Sequence, residues 1–206
     1  MKLSAQSTAV VAIDMHRGHL DPTVATLPLA PERCEAVIAR AAELFRELRA
    51  IGIPIIHVVT EYRDAAEIAA NPFWKAIHED PTKARKGILR HNLAGGPGTE
   101  IIPALWAEGD FRVGGKKRYN CFYATDLEFL LLRLGVHTLI LGGVNTTTCV
   151  LNTAFEATNR DFRVVVAAEA VDSMDGDEMH RFALRLMSAT VGGVLSNEEI
   201  VKALRS

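Results

Sequence analysis

The sequence predicts an α/β fold: a single three-layer αβα domain with a mainly parallel, six-stranded, Rossmann-like sheet. Two observations predict this architecture. Short runs such as 8–13 consist of β-branched and aliphatic residues throughout, as expected of strands buried on both faces. Segments with apolar residues at helical spacing alternate with these runs, which is the pattern of strand–helix–strand units.

The predicted elements follow one another without a linker or an internal repeat. Pro31 begins a helix that Gly52 ends, and Thr125–Glu128 and Ser196–Glu199 are capping boxes at two further helix starts. Between residues 60 and 110 we expect short helices among loops. The strands are predicted at 8–13, 53–59, 111–116, 137–141, 162–167 and 193–195. With 206 residues, the chain is expected to form one domain spanning 1–206.

Composition excludes several classes of partner. The formal net charge is −2 and the basic residues are scattered, so neither nucleic acid nor an anionic membrane is an expected partner. The expected partner is a small-molecule substrate. Three cysteines without CxxC spacing exclude a disulfide framework and a structural zinc site. The first apolar run, interrupted by Asp14, is too short for a signal peptide or a spanning helix. We therefore expect a cytoplasmic protein with free thiols.

Three chemically useful residues follow or end predicted strands. Asp14 follows the first strand, Lys116 ends the third, and Cys149 begins the helix after the fourth. Ligands of parallel sheets bind beyond the carboxyl ends of the strands, so these side chains are candidates for one site. A cysteine in the first turn of a helix is favoured as thiolate, and backbone N–H groups there can hold an oxyanion.

Each of these residues taken alone has a plainer structural interpretation. Free cysteine is often a small buried residue, which alone favours a packing role for Cys149. Asp14 alone could cap a turn, and Lys116 or Lys117 alone could be a surface charge. The catalytic interpretation depends on the three occurring together.

Three motifs resemble those of the isochorismatase-like cysteine hydrolases, a superfamily that includes nicotinamidases, N-carbamoylsarcosine amidohydrolases and ureidoacrylate amidohydrolases. They are Ala12–Met15, Lys116–Phe122 and Gly143–Val150, and their order and spacing match across nearly the whole chain. The resemblance implies that Asp14 is the general base and Cys149 the nucleophile. It selects Lys116 over Lys117, because the family's lysine lies six residues before the phenylalanine of its motif.

The resemblance also implies features around the nucleophile. A cis peptide is expected at Val144–Asn145, turning the Asn145 N–H toward the oxyanion beside the Cys149 N–H. The side chains proposed to contact substrate are those of His16, Trp74, Asn120 and Phe122. From the sequence alone, His16 could equally face solvent and Trp74 could equally anchor a loop to the core. Asn120 and Asn145 depart from the residues common in the family, which leaves the substrate open. The resemblance also suggests that the protein forms a homodimer or homotetramer.

No metal or other cofactor is expected. Nicotinamidases of this superfamily bind a divalent metal through an aspartate and two histidines after the second strand. The corresponding segment, His57–Asp64, lacks the D-x-H spacing. His57 lies within an apolar run, which is typical of a buried structural histidine.

The predicted function is a cysteine amidohydrolase that cleaves a C–N bond of a small amide, ureido or carbamoyl compound through a thioester, releasing ammonia or an amine. One alternative is the vinyl-ether hydrolysis of isochorismatases, which does not require the cysteine. Another is a binding or scaffold protein on the same fold. A nucleotide-binding oxidoreductase is disfavoured, because no G-x-G-x-x-G follows the first strand.

Overall fold

The computed structural model describes residues 3–83 and 85–205, which form one α/β domain around a six-stranded parallel sheet. The strand order is β3-β2-β1-β4-β5-β6, and every neighbouring pair is parallel. The strands are β1 Thr8–Ile13, β2 Ile55–Thr60, β3 Phe111–Lys116, β4 Thr138–Val144, β5 Arg163–Asp172 and β6 Gly193–Leu195. This confirms the predicted fold class. The predicted domain span includes residues 1, 2, 84 and 206, which lie outside the described residues.

Eight α-helices are described around this sheet. Their bounds are α1 Arg17–Leu20, α2 Pro31–Ala50, α3 Ala65–Ala69, α4 Pro72–Glu79, α5 Leu127–Arg133, α6 Leu151–Asn159, α7 Asp177–Thr190 and α8 Asn197–Arg205. Thr146–Val150 forms a π-helical turn that leads directly into α6. No helix within 3–83 and 85–205 is both long and apolar enough to cross a membrane.

The two faces of the sheet carry separate apolar cores. Because side chains alternate along a strand, Val10 and Ala12 of β1 pack with α2 and α8, whereas Val11 and Ile13 pack with α5, α6 and α7. A third cluster lies beyond the sheet, in the irregular region between β2 and β3 and the loop before α2. Its buried members are Leu27, Tyr62, Ile68, Trp74 and Ile88.

The two predicted capping boxes have different outcomes. At α8 the box forms, since the Ser196 N–H donates to Glu199 over 2.8 Å and the Glu199 N–H donates to Ser196 Oγ over 3.2 Å. At α5 it does not form. Thr125 Oγ1 instead donates to the Cys121 carbonyl, and the Glu128 carboxylate accepts from Arg160. A tertiary ion pair has replaced the local hydrogen bond that the sequence spacing favoured.

The sheet order reverses between β1 and β4, which opens a crevice at their carboxyl ends. The two strands approach closely there. Gly143 has φ +119°, and a Cβ on this residue would lie 2.0 Å from the Ile13 carbonyl oxygen. Glycine is therefore required at this point, immediately before the turn that carries Cys149.

We expect Gly143→Ala to lower the free energy of unfolding by about 3 kcal/mol or more, because it adds a backbone clash to an unfavourable φ. Gly52→Ala is the matched control, since Gly52 has φ +80° but no atom within 4 Å of an added Cβ. Its expected cost is about 1–2 kcal/mol. Urea denaturation of both variants checks this, and equal losses would contradict a steric requirement at Gly143.

Candidate active site

Asp14, Lys116 and Cys149 meet beyond the carboxyl edge of the sheet. Lys116 Nζ lies 2.6 Å from Asp14 Oδ2 and 3.4 Å from Cys149 Sγ. The relative exposure of the three residues is 0%, 1% and 6%, so the group is almost completely removed from bulk water. Residues separated by up to 135 positions in the chain therefore share one small polar site.

Thr60, the last residue of β2, connects the carboxylate and the ammonium. Its N–H and its hydroxyl both donate to Asp14 Oδ1, over 2.9 and 2.7 Å. Its hydroxyl oxygen also accepts from Lys116 Nζ over 2.9 Å. Sequence reasoning missed this residue. Its position as a polar residue at the end of a buried strand was the available signal.

A second layer lies behind Asp14. His16 Nε2 is 3.5 Å from Asp14 Oδ1, and the Asn92 side-chain amide lies within 3.2 Å of both ring nitrogens of His16. The same Asn92 amide donates to the Thr60 carbonyl over 2.8 Å. This layer holds the carboxylate in one orientation relative to Lys116.

The charge state of the ion pair follows from these contacts. Burial works against ionisation of Asp14, but the Lys116 charge and the hydrogen bond from His16 outweigh it and hold the carboxyl pKa well below its usual value. Burial also disfavours the charged form of Lys116, yet the negative charge of Asp14 raises its pKa above the ordinary value. Both groups are therefore ionised at neutral pH.

The Cys149 thiol behaves differently. Burial raises its pKa to about 11, Lys116 opposes this rise, and Asp14 adds to it. The thiol is consequently protonated at neutral pH in the free protein, although it lies beside a cation.

The turn that carries Cys149 is held by hydrogen bonds to the segment after β5. The Val144–Asn145 peptide bond is cis, and the Asn145 side-chain oxygen accepts from the Met174 N–H over 2.9 Å. The Thr147 hydroxyl lies 2.8 Å from that of Ser173 and donates to Asp175. The segment after β5 thus supports the turn after β4.

A cavity of about 40 Å³ opens beside the three residues. Since a water molecule needs about 10–15 Å³ of such volume, this is space for a small chemical group beside the sulfur. Its other lining residues are His19, Leu27, Thr60, Tyr62, Trp74, Arg85, Ile88, His91, Arg118, Tyr119, Asn145 and Thr148.

The residues proposed to contact substrate occupy different places. Trp74 lines the cavity. His16 lies behind Asp14 and does not line it. Phe122 and Asn120 do not line it either: Phe122 stacks on Phe162 at 5.9 Å in the core, and the Asn120 side chain accepts from the Phe122 N–H over 2.8 Å. Spacing within the motif identified Lys116 but could not show that these neighbours turn away from the cavity.

Three buried histidines near the site are the candidate metal ligands among the described residues. Ring nitrogens of His16, His19 and His91 lie within 4.8 Å of one another. Burial lowers the pKa of His19 to about 3 and that of His91 well below its ordinary value, so both rings are neutral. Both nitrogens of His16 already face Asn92, however, so ligation by all three would require His16 to leave that contact.

The histidine that sequence analysis placed in the core is buried as predicted. His57 is 1% exposed, and its Nε2 lies 3.1 Å from Asp110 Oδ2. It does not line the cavity.

Together, the parallel sheet, the switch-point crevice and the buried cysteine, lysine and aspartate are the features of a hydrolase built on a Rossmann-like sheet with a cysteine in its site. The model of the isochorismatase domain matches residues 8–199, and the chain belongs to this family.

Known relatives agree with this assignment. YecD, an uncharacterized isochorismatase family protein from Escherichia coli O157:H7, is 28% identical over 99% of this chain and 100% of its own. A ureidoacrylate amidohydrolase from Methylobacterium radiotolerans is 31% identical over 77% of this chain and 63% of its own. The structure of an isochorismatase family protein from Burkholderia thailandensis superposes with a TM-score of 0.78, at 28% identity, covering 100% and 98% of the two chains.

Lys116→Met should lower the free energy of unfolding by about 3–5 kcal/mol, because it leaves the Asp14 carboxylate buried without its cation. Lys117→Met is the control, since the Lys117 side chain is 22% exposed and pairs with Glu67 at the surface. Its expected cost is below about 1 kcal/mol. Chemical denaturation at pH 7 compares the two, and a larger loss for Lys117→Met would contradict the assignment of the buried ion pair.

Proposed function

We propose that the protein is a cysteine-dependent amidohydrolase that cleaves the C–N bond of a small amide, ureido or carbamoyl compound. The observation that carries this proposal is the buried contact of Cys149 Sγ with Lys116 Nζ at 3.4 Å, in a cavity that also contains the Asp14 carboxylate. A nucleophile, a base and a fixed cation within one small cavity are the groups that acyl transfer requires.

In the first step, the Cys149 sulfur attacks the substrate carbonyl and its proton passes to Asp14. Because the thiol pKa is about 11 and that of Asp14 lies far lower, free thiolate is scarce before substrate binds. Proton removal therefore accompanies the attack, and Lys116 stabilises the negative charge that moves from carboxylate to sulfur and then to oxygen.

The resulting oxyanion is held by the backbone N–H groups of Asn145 and Cys149 in this proposal. Support comes from the position of the turn, which places Asn145, Thr148 and Cys149 on the cavity wall. Collapse of the tetrahedral intermediate breaks the C–N bond, and the proton held by Asp14 leaves with ammonia or an amine. Water then attacks the thioester while Asp14 accepts its proton, the C–S bond breaks, and the proton passes from Asp14 to the departing Cys149 sulfur.

The relatives favour amide chemistry over the alternatives. The matched protein from Methylobacterium radiotolerans is named a ureidoacrylate amidohydrolase, and an amidohydrolase cleaves a C–N bond. Vinyl-ether hydrolysis would leave the cysteine without a role, and a pure binding protein would not need the buried ion pair beside it. Since the three side chains supply nucleophile, base and electrostatic stabilisation, we propose that the reaction uses no metal or other cofactor.

We also propose that the protein forms a homodimer or homotetramer. Phe129 and Leu132, three residues apart on α5, are 72% and 66% exposed, and Phe182 of α7 is 58% exposed. Apolar side chains of this size on the outer helical face are typical of a subunit contact.

Cys149→Ala is expected to reduce ammonia release from active amides in a substrate panel by roughly 1,000-fold or more, because the nucleophile is removed. Cys121→Ala is the control: Cys121 is fully buried in the core and does not line the cavity. Its activity should stay within about threefold of wild type once folding is verified by circular dichroism. Comparable turnover by Cys149→Ala would disprove the mechanism.

Alkylation of Cys149 by iodoacetamide tests the proton order separately. The elevated thiol pKa of about 11 predicts a slow reaction at pH 7 that accelerates about tenfold per unit up to pH 9.5. Asp14→Asn should react faster than wild type at pH 8, because the carboxylate raises the thiol pKa, and yet it should not hydrolyse substrate. Peptide mapping assigns the modified cysteine. Slower alkylation in Asp14→Asn would mean that Asp14 generates thiolate in the resting protein.

A further inference from the structure

A buried histidine on the cavity wall takes no part in the mechanism described so far. His19 belongs to the short helix α1, is 4% exposed and lines the cavity together with Asp14 and Cys149. The centre of its ring lies 4.5 Å from that of His91 and 5.0 Å from that of His16. A buried ring of this kind needs a partner at each nitrogen, because an unsatisfied polar atom costs free energy.

The hydrogen bond at one ring nitrogen of His19 fixes what the other can do. Nδ1 lies 2.7 Å from the Leu27 carbonyl oxygen. A carbonyl oxygen can only accept, so Nδ1 carries the ring proton. Burial lowers the pKa of His19 to about 3, so the ring is neutral at pH 7 and Nε2 has a lone pair instead of a hydrogen. His19 is therefore a hydrogen-bond acceptor held in one tautomer.

This acceptor is left without a donor from the protein. Within 3–83 and 85–205, no N–H or O–H group forms a hydrogen bond to His19 Nε2. Lys116, a donor on the same cavity wall, already contacts Asp14 at 2.6 Å, Thr60 at 2.9 Å and Cys149 at 3.4 Å. The lone pair of His19 therefore remains for a ligand in the cavity.

The charge of the cavity decides which ligand fits. An imidazole lone pair binds either a metal ion or a hydrogen-bond donor. The lining includes three basic side chains and one acidic one, namely Lys116, Arg85, Arg118 and Asp14. Even with Arg85 paired to Asp175 beyond the lining, positive charge is in excess, and a metal ion would add to it. An uncharged N–H donor meets no such repulsion.

The amide group of the proposed reaction supplies this donor. A primary amide has one acceptor, its carbonyl oxygen, and two N–H donors. In the proposed mechanism the carbonyl oxygen faces the Cys149 turn, and the nitrogen departs with the proton held by Asp14. As the nitrogen takes up that proton it becomes positive, and its N–H groups become stronger donors. A hydrogen bond to His19 would therefore strengthen as the C–N bond breaks, which lowers the barrier of that step.

We infer that His19 Nε2 accepts a hydrogen bond from the departing nitrogen, so that the nitrogen cleaved from the substrate carries at least one hydrogen. The departing nitrogen is taken from the proposed function, on which this inference rests, whereas the acceptor follows from the Leu27 contact alone. His19 thereby joins Asp14, Lys116 and Cys149 as a residue that touches the reacting atoms. Primary and secondary amides and carbamoyl groups meet the requirement, and tertiary amides do not.

An amide and the methyl ester of the same acyl group test this contact, because the oxygen that leaves from the ester carries no hydrogen. His19→Phe removes the acceptor and keeps a ring of similar size. It should reduce kcat/KM for an active amide of the panel by about 10- to 100-fold, mainly through kcat, and that for the ester by less than about threefold. His19→Gln, whose side-chain oxygen can accept, should recover part of the amide activity.

His137→Phe is the matched control for these kinetics. His137 is exposed and directly precedes β4, at the opposite end of the sheet from the cavity, so its replacement should leave both substrates unaffected. Equal losses for amide and ester in His19→Phe would indicate a purely structural role and overturn the inference. Turnover of the amide by wild type would still support the amidohydrolase proposal in that case.

A spectroscopic measurement decides the same question without turnover. In Cys149→Ala labelled with ¹⁵N-histidine, the His19 signals are assigned by their absence in the Cys149→Ala, His19→Gln double variant. The free protein should show a protonated Nδ1 and a bare Nε2, and acetamide should shift the Nε2 signal while methyl acetate does not. A protonated Nε2 in the free protein, the same response to both probes, or no response to either would contradict the inference whether or not any amide is hydrolysed.

Discussion

The buried ion pair between Asp14 and Lys116 is the interaction on which the rest of the site depends. It joins the carboxyl ends of β1 and β3 across β2, and Thr60 at the end of β2 donates to one partner and accepts from the other. Removing two charges from water costs several kcal/mol each, which only close contact and additional hydrogen bonds offset. The surrounding structure meets this requirement with backbone, hydroxyl and imidazole donors around Asp14. Because burying this ion pair costs so much free energy, a contribution to stability alone does not explain its presence.

The fold supplies the place where this pair becomes useful. In the sheet order β3-β2-β1-β4-β5-β6, β1 and β4 are neighbours whose chain connections leave in opposite directions. The turn after β4 therefore enters the crevice next to Asp14, and the close approach at Gly143 brings the Cys149 turn against the ion pair. The irregular region between β2 and β3 then closes the crevice with Trp74, Arg85 and His91, producing a small cavity rather than an open cleft.

In the proposed mechanism, this arrangement keeps the Cys149 nucleophile inactive until a ligand arrives. Burial outweighs the attraction of Lys116 and holds the thiol pKa near 11, so the sulfur retains its proton in the free protein. A carbonyl group in the cavity would accept the charge that the ion pair stabilises, and proton transfer to Asp14 would then become favourable.

Local pattern was sufficient to predict the parallel fold class, the approximate positions of the strands and several helix starts, because burial periodicity is a property of contiguous residues. The motifs proposed Asp14, Lys116 and Cys149 as candidates for one site. Other features were decided by tertiary structure alone. Glu128 left its capping box for Arg160, and Phe122 turned into the core although it belongs to the lysine motif. The contacts of Thr60 with Asp14, of Asn92 with His16 and of Arg118 with Trp74 join residues 44 to 76 positions apart. Sequence spacing carries no information on such contacts, since the direction of a side chain is set by what packs against it from distant parts of the chain.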